Sequence, residues 1–137
     1  MKKLLTLGLL IIMLGMLIIP VVASDAVITP YYNNTMRATA RFNIDETGNS
    51  SMTLMYTGYP TYAIGATIDT KIQKLVSNDW VDVTGASWTD EIEGIRGTVN
   101  RNHQLSSTGT YRLVYEFEIR GTGGEADVIS GSIEATY

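Results

Sequence analysis

The sequence contains no cysteine, which excludes disulfide bonds, thiol chemistry and cysteine-based metal sites. It has a single histidine, His103, so one chain does not supply the two histidines of many metal centres. No Gly-x-Ser-x-Gly motif, which presents a nucleophilic serine in hydrolases, accompanies this histidine. We therefore predict that the protein is not an enzyme and that His103 is a solvated loop residue.

Positive charge is also scarce, and the few basic residues are scattered along the chain. The formal net charge is −4, and loss of Lys2 and Lys3 with the leader described below makes the remaining chain more acidic still. An acidic domain without a basic stripe is a poor partner for nucleic acid or anionic lipid. Neither is expected to bind.

The longest apolar run, residues 4–19, follows two lysines and precedes a proline and the small-residue sequence Val21-Val22-Ala23. This order is typical of a secretory signal peptide. We predict cleavage after Ala23, with Ala26 as the alternative, and an extracellular protein. The run is shorter than the roughly 20 residues that span a bilayer. The alternative is an uncleaved segment, which would then be the protein's only contact with the membrane.

After the leader, apolar residues recur at every second position, which is typical of strands with one buried face. The predicted strands are residues 35–44, 51–57, 64–76, 80–83, 96–103, 110–119 and 128–137, with 86–89 as a candidate edge strand. In the first of them, Met36 is expected on the buried face with Phe42. The pattern predicts an all-β antiparallel sandwich of seven or eight strands in one domain, residues 24–137, with a barrel as the alternative.

Residues 105–111 read LSSTGTY and lead into the longest apolar alternation. The spacing of Leu105, Gly109 and Tyr111 resembles the tyrosine corner of immunoglobulin-like sandwiches, in which the tyrosine hydroxyl bonds to upstream backbone. The alternative is an ordinary glycine turn followed by an inward tyrosine.

Further motifs extend this resemblance. They are Ile72-Gln73-Lys74-Leu75, Trp80-Val81-Asp82-Val83, the signal peptide and the closing hairpin. With them, the chain resembles the small secreted immunoglobulin-like proteins of Gram-positive, often gut-dwelling, bacteria. The resemblance implies an immunoglobulin-like fold and an extracellular location. It implies no catalytic residues, since that family has no established activity.

Three predicted loops share one end of the sandwich if the strands succeed one another up and down. These loops are residues 58–65, 84–95 and 121–125. They carry the side chains that we select as a candidate ligand-binding loop end: Tyr59, Tyr62, Trp88, Asp90 and Glu91. Exposed aromatic rings beside carboxylates suit sugars or extended peptides. The alternative is that the aromatic rings pack over the mouth of the sandwich, and the grouping fails if residues 86–89 form a strand that changes sheet.

Two further features are more simply structural. Trp80 follows a tight turn and is predicted to plug one end of the core. Two acidic groups could offer oxygen ligands to calcium. They are Asp45, Glu46 and Asn49, and Asp90, Glu91 and Glu93. Neither has a regular ligand spacing, so turn chemistry is favoured and no cofactor is predicted.

These observations favour a secreted, non-enzymatic domain that binds or adheres at the cell surface or in the medium, with a glycan or a surface protein as the partner. The alternative is a structural subunit of the envelope that assembles through an edge strand, either Val27-Ile28 or residues 126–137. A third hypothesis is that the protein is a small hydrolase, which would need two carboxylates facing each other across a cleft.

Overall fold

The computed structural model describes residues 32–137. The predicted leader, both cleavage sites and the candidate edge strand Val27-Ile28 lie outside the described residues. The strands are β1 (Thr35–Ile44), β2 (Asn49–Gly58), β3 (Ala63–Val76), β4 (Asp79–Glu93), β5 (Arg96–Gln104), β6 (Thr110–Gly121) and β7 (Asp127–Thr136). Residues 32–137 contain no apolar helix of membrane-spanning length.

The seven strands form two antiparallel sheets. One has the order β1-β2-β5 and the other β4-β3-β6-β7. Apolar side chains from both sheets form one core between them. The prediction of an all-β antiparallel sandwich is therefore confirmed, and the barrel alternative is wrong because the sheets do not close on each other.

The core is built from alternate residues, as strand geometry requires. In β2 these are Met52, Leu54 and Tyr56, and in β3 they include Ile68 and Ile72. The predicted inward face of β6 is confirmed, with Tyr111, Leu113, Phe117 and Ile119 buried and Tyr115 partly buried against them. Packing of these side chains supplies stability in a chain that has no cysteine for disulfide bonds.

The connections lie at two opposite ends. We call one the pair end, formed by residues 59–62, 94–95 and 122–126, where the N–H of Thr122 donates to the carbonyl of Tyr62 at 2.9 Å. We call the other the corner end, formed by residues 45–48, 77–78 and 105–109. There the N–H of Leu105 donates to the carbonyl of Gly48 at 2.9 Å.

The hydroxyl of Tyr111 donates to the carbonyl of Ser107 at 2.6 Å. Its ring is buried in the core and follows the turn at Gly109, whose φ is 148°. This geometry is the one that the tyrosine-corner interpretation predicts. It fixes the β5–β6 connection to the strand that follows it.

The prediction of a short strand, a candidate edge strand and an acidic loop over residues 80–94 is wrong, because one long strand, β4, occupies nearly all of this segment. It runs unbroken from Asp79 to Glu93 beside β3. The register passes from Lys71↔Ser87 to Gln73↔Asp82, so residues 83–86 form a bulge without partners in β3. Gly85 lies in this bulge with a φ of 75°, which glycine accepts more readily than other residues. The bulge interrupts the alternation of apolar and polar residues, so the sequence pattern predicts two strands where the structure has one.

A second bulge corrects the face predicted for Met36. The pairing of β1 with β2 shifts between Thr35 and Arg37, and the Met36 side chain is 58% exposed. Thr35 is buried instead, and its hydroxyl donates to a carboxylate oxygen of Asp127 at 2.8 Å. Beyond the bulge the predicted phase is recovered, and Phe42 is buried.

Asp127 fastens the start of β1 to the start of β7. Its carboxylate accepts hydrogen bonds from the backbone N–H of Asn33 at 2.8 Å and of Asn34 at 2.7 Å, besides the Thr35 hydroxyl. Burial alone would raise the pKa of Asp127, but these hydrogen bonds outweigh it and leave the pKa below its usual range. The buried Asn34 amide adds a bond to the carbonyl of Glu125 at 2.9 Å.

Trp80 does not belong to the core, so that prediction is wrong. It lies on β4 with its ring partly exposed, and the guanidinium carbon of Arg112 stands 4.3 Å from the ring centroid. Arg112 also donates to the side-chain oxygen of Gln73 at 2.7 Å. The ring is therefore held by a cation–π contact on the outer surface of the sheet.

Candidate functional site

The pair end presents two tyrosine rings next to each other. Tyr59 and Tyr62 bracket the tight connection between β2 and β3, in which the N–H groups of Tyr62 and Ala63 both donate to the carbonyl of Tyr59. The ring centroids are 6.4 Å apart with an interplanar angle of 73°, which is an edge-to-face arrangement. The two residues remain 40% and 44% exposed, so much of their ring surface faces solvent.

Ile64, two residues after Tyr62, is a further exposed apolar residue at this end. The pairing of β3 with β6 shifts between Ala63 and Gly65, so Ile64 leaves the buried face and is 53% exposed. Polar groups lie at the neighbouring ends of β4 and β6, where Arg120 reaches the exposed Glu93 at 3.9 Å. We define the pair-end surface as Tyr59, Tyr62 and Ile64, and the charged groups of Arg120 and Glu93 lie at the same end of the sandwich.

Trp88 is not part of the pair-end surface. It lies within β4 opposite Thr70, five residues before Glu93, which places it roughly 17 Å along the strand from that end. Its ring packs against the core at the side of the sandwich and contacts His103 edge-on, with centroids 5.8 Å apart. The alternative to ligand binding was that the Trp88 ring packs over the mouth of the sandwich. The ring does pack against the core, but at the side of the sandwich.

Asp90 also lies in β4, and its carboxylate links the two sheets. Both of its oxygens accept from one guanidinium nitrogen of Arg101 in β5, at 2.8 and 2.9 Å. The same guanidinium stands 5.0 Å from the ring centroid of Trp88. His103, in β5 rather than in a loop, completes this group, so the prediction of a solvated loop residue is wrong.

Glu91 is placed apart from the other four predicted site residues. It lies opposite Thr67 and is exposed, whereas its neighbour Asp90 on the other face is partly buried. Because residues 84–93 are a strand, successive side chains point to opposite faces. The five predicted residues thus separate into the tyrosine pair, the Trp88–Asp90 group and Glu91. Arg101 and His103 were missed, although their two-residue spacing places them on one face of β5.

Asp45 and Asp90, one from each acidic group considered for calcium, have other partners. One carboxylate oxygen of Asp45 accepts from the hydroxyl of Thr47 at 2.7 Å and from the N–H of Asn49 at 3.0 Å. These bonds, that of the Thr47 hydroxyl foremost, hold the pKa of Asp45 below its usual value. Across residues 32–137, no three histidine, aspartate or glutamate side chains are grouped closely enough to hold one metal ion. Turn chemistry accounts for the Asp45 group.

No protein-family model matches the chain, and no curated protein matches it. One solved structure that resembles it is a β-glucosidase from Listeria innocua in complex with gluconolactone. The identity is 10% and the TM-score 0.43, over 72% of this chain but 16% of that enzyme. The chain therefore spans a small part of that protein's length, and a likeness of this degree carries no argument about function.

Proposed function

We propose that this protein is a secreted, non-enzymatic domain that binds a ligand at the cell surface or outside the cell through its pair-end surface. The observation that carries the proposal is the exposed, edge-to-face pair of Tyr59 and Tyr62 with Ile64 beside it. Elsewhere in the sandwich the large aromatic side chains Tyr56, Tyr111 and Phe117 are buried. Rings left in solvent at a loop end are available to a partner.

A cell-surface saccharide is the ligand class that best suits this surface. Sugar rings carry C–H faces that pack on aromatic rings, and two tyrosines at 73° offer surfaces in two directions. The charged groups of Glu93 and Arg120 at the same end can exchange hydrogen bonds with hydroxyl groups. A protein partner is the other outcome of the experiment below.

Secretion and the immunoglobulin-like class are part of the same proposal. The N-terminal residues support export, and the tyrosine corner at Tyr111 supports the class. Strand order supports it too, since the first, second and fifth strands share one sheet and the third, sixth and seventh share the other. The fourth strand differs from constant-type domains because it pairs with the third. We accordingly propose kinship with the small secreted immunoglobulin-like proteins of Gram-positive bacteria.

Assembly through an edge strand is a second candidate function, and β7 favours it. This strand is ten residues long, lies at the end of its sheet and contains no lysine, arginine or proline to discourage pairing. Light scattering at increasing protein concentration separates the candidates. An increase in mean molar mass with concentration, absent in Val128→Lys, would support assembly. A protein that stays monomeric at every concentration would exclude it.

Binding to purified cell-wall material and to a glycan array tests the leading proposal. The protein expressed from the full sequence should bind, and Tyr59→Ala/Tyr62→Ala should weaken binding at least roughly tenfold, since two aromatic anchors are lost. Leu75→Ala/Val128→Ala removes exposed apolar side chains elsewhere and should bind normally. Natively folded protein that binds neither material, or a tyrosine variant that binds as well as the parent, would contradict the proposal.

A further inference from the structure

The corner end holds a groove that sequence reasoning did not find. It is a concave space of about 420 Å³ between the β3–β4 hairpin and the connection from β5 to β6. Residues from positions 74–84 and 103–111 line it, so its two walls come from chain segments that are far apart in sequence. We call it the corner-end groove, and it lies at the opposite end of the sandwich from the pair-end surface.

The floor and one wall of the groove are apolar. Leu105 and Tyr111 are core residues whose surfaces form its floor. Val76, Val81 and Val83 of the hairpin form the wall, and the first two are 46% and 50% exposed. Ile72 is the last core residue of β3, and the hairpin continues beyond it to a turn after Val76. Its inward face is left with apolar area for a partner to cover.

The groove also carries a positive charge that lacks a counter-ion. The Lys74 ammonium donates to the hydroxyl of Ser107 at 2.6 Å and stands 5.4 Å from the ring centroid of Tyr111. Within the described part of the chain no carboxylate forms a salt bridge with it. Asp82 borders the same groove, but Lys71 pairs with it at 3.2 Å and Gln73 donates to it at 2.6 Å. A carboxylate on the ligand would therefore complement the groove.

The backbone beside the groove favours an extended ligand. β4 and β5 are the outermost strands of their sheets on this side, and each pairs with one neighbour within residues 32–137. In the bulge of β4, residues 83–86 have no register partner in β3 either. Edge strands offer unpaired N–H and C=O groups, to which an extended peptide adds as a further strand.

We propose that the corner-end groove binds an extended peptide segment in which apolar residues lie two positions before and two positions after an acidic residue, so that the three side chains share one face. The apolar side chains would contact Val76, Val81 and Leu105, the acidic residue would reach Lys74, and the peptide backbone would run along the free edge of β4. This site is separate from the pair-end surface, so either can fail without the other.

Fluorescence anisotropy with two labelled peptides tests the proposal on the protein expressed from the full sequence. The acidic probe is acetyl-Val-Thr-Glu-Thr-Val with a dye on an added C-terminal lysine amide, and the matched probe has lysine in place of glutamate. The acidic probe should bind roughly fivefold or more tightly than the matched probe, because Lys74 attracts the glutamate of the first and repels the lysine of the second. No binding of the acidic probe at millimolar protein, or equal binding of both, would overturn the proposal.

Three variants locate the binding. Lys74→Met keeps the stem of the side chain over Tyr111 but removes its charge, and should abolish the preference for the acidic probe. Val76→Thr/Val81→Thr keeps side-chain shape at exposed positions, so the fold should survive, and should weaken both probes roughly fivefold or more. Val128→Thr makes the same exchange on β7 and should change nothing. Unaltered binding by the first two variants, with native circular dichroism, would place the peptide elsewhere and overturn the proposal.

Discussion

At the scale of single residues, a few buried polar groups hold the start of β1 against the start of β7. Asp127 is the clearest of them, since its carboxylate satisfies two backbone N–H groups and the hydroxyl of Thr35. The lowered pKa of this carboxyl means that its charged form is more favourable in the folded protein than in the unfolded chain. Its contribution to stability is therefore present near neutral pH and is lost as the pH falls through the folded-state pKa.

Asp127→Asn should lower the free energy of unfolding by about 2 kcal/mol near neutral pH, because the amide replaces an accepting oxygen with a donor facing N–H groups. Urea denaturation at neutral and acidic pH measures the effect. The parent should lose stability on acidification through the aspartate range, and the variant should lose less. Glu125→Gln, an exposed change in the same loop, is the control and should leave both quantities unaltered. Equal acid sensitivity of parent and Asp127→Asn would contradict this account.

At the scale of elements, the sequence predicted strands wherever the alternation was unbroken. β2 and β6 lie where they were expected, with the expected buried face, because their apolar residues keep one phase from end to end. The prediction failed at Met36 and in β4, where bulges change the phase. Gly85 was the available signal in β4, but a glycine between two short apolar runs suggests a turn as readily as a bulge.

The two tryptophans of β4 test this revised reading of the strand. Trp88 packs against the core and under Arg101, so Trp88→Ala should cost about 2–3 kcal/mol of unfolding free energy. Trp80 lies on the outer surface under Arg112, and Trp80→Ala should cost about 1 kcal/mol. Urea denaturation compares them directly. A larger loss for Trp80→Ala would restore the prediction that Trp80 plugs the core.

At the scale of the whole molecule, the two ends of the sandwich were not equally predictable. Tyr59 and Tyr62 lie in one short connection, so local sequence was enough to place both at a loop end. Trp88 and Asp90 were assigned to the same end because their strand was taken for a loop. The corner-end groove could not be predicted, since its walls come from the β3–β4 hairpin and from the β5–β6 connection, which crosses between the sheets, and its exposed valines continue an ordinary strand pattern.

We propose above that the exposed pair of Tyr59 and Tyr62 is a binding surface. Amide chemical-shift mapping by NMR, with a soluble fragment of cell-wall saccharide added to the isotope-labelled protein, tests it most directly. We expect shifts that saturate at residues 59–64 and 122–126 and that are absent in Tyr59→Ala/Tyr62→Ala. Saturating shifts confined to other parts of the sandwich, or none with any wall fragment, would contradict it.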